Sequence, residues 1–426
     1  MNTEHMEEKI NRAVLVGLNA NCLPREDNAT ESTLEELGAL LETAGGTCMG
    51  TVIQNRETPD PRTFIGEGKV AEVKELVSAR EADLVIFDND LSPSQMRVLT
   101  EDLGVQVMDR SALILDIFAQ RAKTREGRLQ VELAQYKYLL PRLTGMWEHL
   151  ASQTASGGKS PIGTRGPGET QLETDRRHIR RKIAKLEEDL AEVRRVRGVQ
   201  RERRIKNEVP VVAIVGYTNA GKSTLLNTFT NAGIPANDRL FDTLDTTTRT
   251  LVISDTCTVL ISDTVGFIRK LPHHLVDAFK ATLEELTFSD LLLHVIDASN
   301  PEWREQAAVV EELVCTLGAE TTPRIDVFNK SDLYVGDITP HGEDIISISA
   351  KTGQGLDELI GMIAKRLDTG ARRVALSVPY DKGGILDTLY REAKVEKVEY
   401  GETIEVTAVC TAKLLGKLGE FLTGLD

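Results

Sequence analysis

Hydrophobic and polar positions alternate in a strand–helix rhythm over the first part of the chain. Four short apolar runs have the length and composition of buried strands, and three segments between them carry apolar residues at helical spacing. The runs are Ala13–Leu18, Gly50–Gln54, Asp83–Asp88 and Val105–Asp109; the helical segments are Leu34–Ala44, Lys69–Ala79 and Ser94–Leu103. Strands that alternate with helices predict a mostly parallel sheet, so we expect an N-terminal α/β domain over residues 1–116.

Two long amphipathic patterns follow, and each has a single narrow apolar stripe. The first stripe consists of Leu129, Leu133, Tyr136 and Leu140; the second consists of Ile179, Ile183, Leu186, Leu190, Val193 and Val196. Such stripes mark one face of a helix and predict an antiparallel helical hairpin over residues 117–207. Residues 157–173 between them are rich in Gly and Pro, so we expect a loop at the hairpin tip. A plain linker remains the alternative for this loop.

Strand–helix alternation returns at Val209. Strands are predicted at Pro210–Val215, Leu251–Ser254, Val259–Asp263, Leu291–Ile296, Ile325–Phe328 and Asp344–Ile348, and helices at Leu225–Phe229, Val276–Leu286, Glu302–Leu317 and Leu356–Leu367. This order indicates a second α/β domain with a doubly wound sheet over residues 208–370.

The remaining residues, 371–426, predict a small α+β C-terminal domain. Its predicted strands are Ala375–Val378, Val395–Tyr400 and Thr403–Val409, and its predicted helix is Gly384–Ala393.

The charge distribution separates one element from the rest of the chain. The 426 residues carry a formal net charge of −15, yet residues 176–206 contain thirteen Lys and Arg against five acids. A basic element on an acidic protein is typical of binding to a polyanion, and a solvated helix face is the alternative. The candidate RNA-binding residues are Arg165, Arg176, Arg177, Arg180 and Arg181.

Composition narrows the class of protein. Hydrophobic residues make up 41% of the chain and charged residues 27%, values typical of a protein with substantial buried cores. The five cysteines are scattered without CxxC spacing, which indicates reduced thiols and neither a disulfide framework nor a zinc site. No apolar stretch approaches the ~18 residues of a membrane helix, and no secretory signal is visible. We therefore expect a cytoplasmic protein without membrane insertion.

A phosphate-binding loop follows the first strand of the second α/β domain. It fits the GxxxxGK[ST] pattern and stands between an apolar strand and a helix, the context that the motif requires. Its two outer glycines let backbone N–H groups point at phosphates, Lys222 would bridge the β- and γ-phosphates, and Ser223 would ligate Mg²⁺. The loop residues are Gly216, Tyr217, Thr218, Asn219, Ala220, Gly221, Lys222, Ser223 and Thr224.

A second motif selects guanine over adenine. The tetrapeptide of Asn329, Lys330, Ser331 and Asp332 follows the apolar run Ile325–Phe328, at a strand's carboxyl end. The carboxylate of Asp332 can accept hydrogen bonds from N1–H and the 2-amino group of guanine, and adenine offers neither donor. Asn329 can hold the loop and approach N7, and the stem of Lys330 can lie across the base.

A third segment also predicts a contact with guanine. It consists of Ser349, Ala350 and Lys351, and it follows the next predicted strand. We expect the backbone N–H of Ala350 to meet O6 of guanine.

Two further segments are candidates for sensing the γ-phosphate. In the first, Asp263, Thr264, Val265 and Gly266, the Asp would hold Mg²⁺ through water and the Gly N–H would sense the phosphate. The second consists of Phe241, Asp242, Thr243, Leu244 and Asp245. Thr243 is our choice for the threonine that meets Mg²⁺ and the attacking water, and Thr246, Thr247 and Thr248 are competing choices. The candidate catalytic residues are therefore Lys222, Thr243 and Gly266.

One position predicts slow hydrolysis. Ras-like GTPases orient the attacking water with a Gln just after the Gly of this motif. Phe267 stands there in this chain, and its ring can neither accept a proton from water nor hydrogen-bond it. Backbone groups near Thr243, a K⁺ ion at Asn219, or a partner would then have to position the water. An Asn that only braces the loop is the alternative at position 219.

These motifs, in this order, resemble a translation-factor-class GTPase, and upstream segments narrow the resemblance to the HflX family of ribosome-associated GTPases. The segments are Pro59–Gly68, Asp88–Gln95, Asp116–Arg121 and Thr164–Arg176, and the resemblance covers roughly residues 10 to 370. It implies binding to the large (50S) ribosomal subunit, with the hairpin loop reaching ribosomal RNA, and splitting or rescue of stalled ribosomes under stress. At the tip, residues Gly157–Pro161 precede Ile162–Glu169, where the family resemblance implies a shorter Gly-rich run.

Three functions remain open from the sequence. The first is a GTP-hydrolysing ribosome factor that binds the large subunit and its RNA, with Mg²⁺ as cofactor and K⁺ as a candidate second ion. The second is a GTP-dependent switch that regulates a protein partner, such as a membrane protease, without RNA. The third, an ATP-driven RNA remodeller, is disfavoured by Asp332. We expect a monomer.

Overall fold

A computed structural model describes residues 11–24, 27–154, 167–206, 209–230, 240–241, 247–253, 258–272, 275–276, 286–334, 342–367, 372–410 and 412–425. The contacts between Cα atoms divide the chain into two compact units. The first unit contains the residues up to Arg195, together with the described parts of Asn237–Asp245 and Val265–Thr282. The second unit contains the remainder.

A four-stranded parallel sheet forms the core of the first unit. Its strands are β1 (Arg12–Ala20), β2 (Thr47–Arg56), β3 (Leu84–Phe87) and β4 (Gln106–Asp109), in the order β2-β1-β3-β4. The helices α1 (Glu31–Thr43), α2 (Glu67–Arg80) and α3 (Pro93–Leu103) lie between successive strands in the chain. Apolar side chains of β1 and β3 are buried. The predicted alternation of strands and helices is confirmed.

Two segments that carried the family resemblance contact each other. Ser92 begins α3 through a capping box, because its side chain accepts from the backbone N–H of Gln95 and the Gln95 side chain accepts from the N–H of Ser92. The Gln95 Nε2 also donates to the carbonyl oxygen of Asp60 at 3.2 Å. The Asp60 side chain in turn accepts from the backbone N–H of Thr63. Both motifs therefore fix local backbone structure.

The predicted hairpin is formed by two long helices. After α4 (Arg110–Arg121), the chain continues as α5 (Arg125–Thr154) and α6 (Pro167–Lys206). Leu133 packs against Leu186 and Leu190, and Lys182 Nζ donates to Tyr136 Oη at 2.7 Å. Residues later in α5 contact residues earlier in α6. The two helices therefore form an antiparallel pair, as predicted. Residues 157–166 of the predicted tip lie outside the described residues, whereas residues 167–173, which the sequence predicts as loop, form the start of α6. Proline is tolerated at the first position of a helix, so Pro167 does not exclude a helix here.

Asp109 connects the base of the hairpin to the sheet through hydrogen bonds with residues of α5. This buried residue ends β4, caps α4 by accepting from the N–H of Ala112, and also accepts from Tyr138 Oη at 2.8 Å. Arg142 of α5 donates to the same carboxylate at 2.9 Å. Burial raises the pKa of Asp109, and the charge of Arg142 opposes that rise.

A six-stranded sheet forms the core of the second unit. Its strands are β5 (Val211–Gly216), β6 (Thr247–Val252), β7 (Thr258–Asp263), β8 (Leu291–Asp297), β9 (Arg324–Asn329) and β10 (Ile345–Ser347), in the order β10-β9-β8-β5-β7-β6. Only β6 runs antiparallel to its neighbour among these described strands. The helices α7 (Lys222–Thr230), α8 (Trp303–Thr316) and α9 (Leu356–Arg366) accompany it. The doubly wound α/β fold is confirmed, whereas the predicted helix Val276–Leu286 lies mostly outside the described residues.

A four-stranded antiparallel sheet completes the chain. Its strands are β11 (Arg372–Val378), β12 (Lys394–Tyr400), β13 (Ile404–Cys410) and β14 (Leu422–Leu425), in the order β12-β13-β11-β14. The helices are α10 (Gly384–Glu392) and α11 (Ala412–Leu418). The predicted α+β character is confirmed, but the sequence reading missed α11 and β14, which are short. None of the helices in the described ranges is long and apolar enough to cross a membrane.

Candidate nucleotide-binding site

The phosphate-binding loop has a shape that only glycine permits at two positions. A Cβ on Gly216 would lie 2.3 Å from the carbonyl oxygen of Val295, so a side chain there would collide with β8. Gly221 has a φ of +96°, and a Cβ on it would lie 2.2 Å from Asn329 Nδ2. The loop between these glycines leads directly into α7, whose N-terminal N–H groups favour an anion.

Lys222 is buried inside this loop. Its Nζ donates to the carbonyl oxygens of Gly216 at 3.0 Å and Tyr217 at 2.6 Å. Burial lowers the pKa of Lys222 to about 8, and the charge of Asp263 opposes that change. An ammonium group held by neutral carbonyls in a buried loop gains stability from a bound anion. The residues present therefore fit a phosphate group.

The Ser and Asp predicted to serve the metal ion are in contact. Ser223 Oγ donates to Asp263 Oδ2 at 2.7 Å, and Asp263 is fully buried at the end of β7. Thr264 Oγ1 donates to the carbonyl oxygen of Ile214 at 2.7 Å, which joins the end of β7 to β5. One carboxylate and one hydroxyl beside a phosphate loop match the sparse protein ligation that Mg²⁺ uses with nucleotides. The donor set therefore fits Mg²⁺ held jointly with substrate phosphates.

Asn329 joins the base-recognition loop to the phosphate loop. Its Nδ2 donates to the carbonyl oxygen of Ala220 at 2.8 Å, and its Oδ1 accepts from the backbone N–H of Ala350 at 2.9 Å. Thr228 Oγ1 donates to the carbonyl oxygen of Ala350 at 2.9 Å. The sequence predicted that the Ala350 N–H would face guanine O6, but in this structure it points to Asn329.

The remaining base-recognition residues lie where β9 ends. Lys330 has a left-handed φ of +60°, and its Nζ pairs with Asp297 Oδ2 at 2.7 Å. Asp332 lies exposed in a single 3₁₀ turn, and Ser349 is buried after β10. The sequence reading missed Asp297, although its position at the carboxyl end of an apolar strand was a usable signal.

Both predicted phosphate-sensing segments contain residues of the first unit, whereas Asp263 and Thr264 belong to the second unit. Val265, Gly266 and Phe267 are buried in the first unit, and Phe267 is 2% exposed. Phe241 is also buried, and its ring meets that of Phe118 edge-to-face at 4.7 Å. The predicted residues Asp242, Thr243, Leu244 and Asp245 lie outside the described residues.

The candidate RNA-binding arginines lie near the start of α6. Arg177, Arg180 and Arg181 are exposed, whereas Arg176 is half-buried. Within the described part of the chain, Arg177 makes a long contact with Glu173, at 3.8 Å. Arg165 lies outside the described residues.

Three known family models match most of residues 31–330. The matching family models are described as GTP-binding GTPase N-terminal (residues 31–119), GTP-binding GTPase Middle Region (residues 121–204) and 50S ribosome-binding GTPase (residues 211–330).

Individual relatives agree with these models. The GTPase HflX of Caldanaerobacter subterraneus is 47% identical over 98% of this chain and 95% of its own length. The GTPase HflX of Escherichia coli is 43% identical over 85% of this chain and 86% of its own. A GTP-binding protein of Sulfolobus solfataricus, crystallised with GDP, is 25% identical over 84% of this chain and 99% of its own, with a TM-score of 0.45. The chain belongs to the HflX family of GTPases and is a GTP hydrolase.

Proposed function

We propose that this GTPase binds the large ribosomal subunit in the cytoplasm and couples GTP hydrolysis to ribosome splitting or rescue under stress. The observation that carries this proposal is the basic start of α6, where Arg177, Arg180 and Arg181 are exposed on an otherwise acidic chain. Exposed guanidinium groups bind phosphates through paired hydrogen bonds, which suits an RNA backbone. The match to the model described as a 50S ribosome-binding GTPase supports the same partner.

Each part of the chain has a role in this proposal. Residues 1–116 form a supporting α/β domain, residues 117–207 form the RNA-binding hairpin, residues 208–370 form the GTPase domain, and residues 371–426 form a small accessory domain. The hairpin base is held through Asp109, so the hairpin is a firm extension of the N-terminal sheet.

The phosphates of GTP are assigned to the loop from Gly216 to Thr224. The ammonium of Lys222, which contacts two carbonyl oxygens of its own loop in this structure, is assigned to the β- and γ-phosphates. Ser223 and Thr243 are assigned to Mg²⁺ directly and Asp263 through water. The metal ion, when bound, neutralises charge on the phosphate oxygens. The N–H of Gly266, two peptide bonds beyond Thr264, is assigned to the γ-phosphate.

Guanine is assigned to the loop after β9. The exposed carboxylate of Asp332 accepts from N1–H and the 2-amino group, while Lys330, held by Asp297, lies over the base. Asn329 keeps this loop in register with the phosphate loop through Ala220. For Ala350 to donate to O6 as well, its N–H must turn away from Asn329 or be shared between both acceptors.

Hydrolysis by the isolated protein should be slow, since the position that holds a water-orienting Gln in Ras-like GTPases holds Phe267. The ring of Phe267 is buried and apolar, so it supplies no hydrogen bond to water. The missing group then comes from backbone near Thr243, from a K⁺ ion at Asn219, or from the ribosome. This arrangement couples turnover to the presence of the target.

Co-sedimentation with purified large subunits at increasing salt tests the proposed partner. With a non-hydrolysable GTP analogue, we expect binding that falls steeply with salt, because each phosphate contact releases counterions. Purified small subunits serve as the control for nonspecific attraction to RNA. Absent or salt-independent binding to large subunits would favour a GTP-dependent switch that acts on a protein partner.

A further inference from the structure

The first unit contains a buried cluster of charged groups at the carboxyl edge of its sheet. Asp88 directly follows β3, is 1% exposed, and accepts hydrogen bonds from Thr33 Oγ1 at 2.9 Å and Arg110 Nη1 at 2.8 Å. Arg110, which is equally buried, also pairs with Glu36. A carboxylate at this depth is stable only because cations and donors surround it.

The second cation beside Asp88 comes from far along the chain. Lys270 Nζ contacts Asp88 Oδ2, and the Lys270 side chain is 8% exposed. Asp88, Glu36, Arg110 and Lys270 carry two negative and two positive charges, and Asp27 adds a further negative charge near Lys270. Removal of Lys270 therefore leaves an excess of negative charge. Burial lowers the pKa of Lys270, while the carboxylate of Asp88 opposes that change.

The place that Lys270 occupies is one where parallel sheets ordinarily bind ligands. The strand order β2-β1-β3-β4 reverses direction between β1 and β3, and ligands of such sheets lie at the carboxyl ends beside that point. Asp88 stands there, immediately after β3. The side chain of Lys270 therefore lies at the position where a parallel sheet of this kind usually binds a ligand.

Backbone geometry indicates that this contact constrains the segment. Lys270 has a φ of +54° and Phe241 a φ of +58°. This is a left-handed backbone conformation that residues other than glycine rarely adopt. Such residues persist where surrounding contacts over-determine them, and they cluster at switch regions. Both residues lie in or near segments assigned above to sensing of the γ-phosphate. The Lys270 side chain packs against the N-terminal sheet at Asp88, and the Phe241 ring packs against Phe118 of α4.

We propose that Lys270 is a positioning residue for GTP hydrolysis, which holds the segment that begins at Gly266 through its ion pair with Asp88. This inference rests on the proposed assignment of Gly266 to the γ-phosphate. Lys270 follows Gly266 by four residues, so an anchor at Asp88 limits how far the Gly266 N–H can move. A preorganised N–H stabilises developing charge without reorganising during the reaction. The N-terminal sheet thereby influences the turnover rate.

The ion pair can be removed with or without unbalancing the buried charge. Lys270→Met leaves an excess negative charge, and Asp88→Asn removes a negative charge. The double variant Lys270→Met/Asp88→Asn restores the net charge of the unaltered cluster but has no anchor. Lys270→Arg keeps the charge, and Lys69→Met, which removes the surface pair with Glu72, is the matched control.

The test measures kcat and KM for GTP, thermal unfolding, and deuterium exchange of the nucleotide-free protein around Gly266. We expect Lys270→Met to lower kcat about 10-fold or more with KM changed less than about 2-fold, since small misplacements of reacting groups are costly. Exchange around Gly266 should become faster even without nucleotide. The double variant should unfold at a higher temperature than Lys270→Met but keep the low kcat. Lys270→Arg, in contrast, should recover most of the kcat of the unaltered protein.

Two results would overturn the proposal. One is a double variant whose kcat returns with its stability, because Lys270 would then matter only for folding. The other is an unchanged or increased kcat in Lys270→Met with unchanged exchange around Gly266. Lys222→Ala, measured in parallel, tests the nucleotide site itself: if that variant hydrolyses GTP like the unaltered protein, the proposed function fails independently of Lys270.

Discussion

The side-chain amide of Asn329 fills the space that a Cβ on Gly221 would need. The Asn329 Nδ2 would lie 2.2 Å from that carbon, and it cannot readily move, because it donates to Ala220 while Oδ1 accepts from Ala350. The phosphate loop and the base-recognition loop are thus fitted to each other. Binding of the phosphates and the base should therefore be coupled.

Gly221→Ala should weaken GTP binding about 10- to 100-fold, because it adds both the collision with Asn329 and left-handed backbone strain of about 1–3 kcal/mol. Isothermal titration calorimetry with GTP measures the change. Gly318→Ala is the matched control, since Gly318 has a φ of +77° and no atom within 4 Å of the added carbon. Equal affinities in both variants would contradict the role of the Asn329 contact.

Asp332→Asn should reduce affinity for GTP sharply and make xanthosine triphosphate competitive. The amide NH₂ replaces an acceptor by a donor, which suits the 2-carbonyl of xanthine and opposes the 2-amino group of guanine. Competition titrations with the two nucleotides measure the switch. If the variant keeps its affinity for GTP, the base is not held by Asp332.

The hairpin arginines can be tested as a group. Replacing Arg176, Arg177, Arg180 and Arg181 by Gln should leave GTP binding intact, weaken binding to large subunits, and reduce the salt slope by roughly 0.7–0.9 per lost phosphate contact. The control removes the same number of charges farther along α6, at Lys185, Arg194, Arg195 and Arg197. An identical loss in both variants would mean that the overall charge of the helix acts, and no loss in the first would mean a solvated face.

A monovalent ion at Asn219 predicts hydrolysis that is faster in K⁺ than in Na⁺. Asn219 is exposed in the phosphate loop with a φ of +60°, so its side chain is accessible to such an ion. Initial rates at equal ionic strength, for the unaltered protein and Asn219→Ala, provide the comparison. Equal rates in the two salts would remove K⁺ from the mechanism.

The sequence predicted those parts of the molecule that depend on local patterns. The strands around Val85 and Ile214, the hairpin stripe at Leu133, and the phosphate loop all follow from periodicity or short motifs. Lys270 could not be predicted in this way, because its contact with Asp88 spans 182 residues and leaves no periodic signal.

The acceptor of an individual hydrogen bond also could not be predicted from the sequence. The Ala350 N–H was expected to face the base, and the structure directs it to Asn329, since two loops compete for one donor. Short elements were missed for a related reason: β14 has four residues and includes Gly424, so its pairing with β11 decides its conformation more than its own propensity does.

Single-turnover GTP hydrolysis, with saturating protein and with or without purified large ribosomal subunits, tests the central claim most directly. Because Phe267 is buried and offers no hydrogen bond to water, we predict slow hydrolysis by the protein alone. Large subunits should accelerate it strongly, toward the ~10³–10⁵-fold that supplying a missing group in trans gives to other GTPases. Fast hydrolysis without subunits, and no acceleration when they are added, would contradict the account.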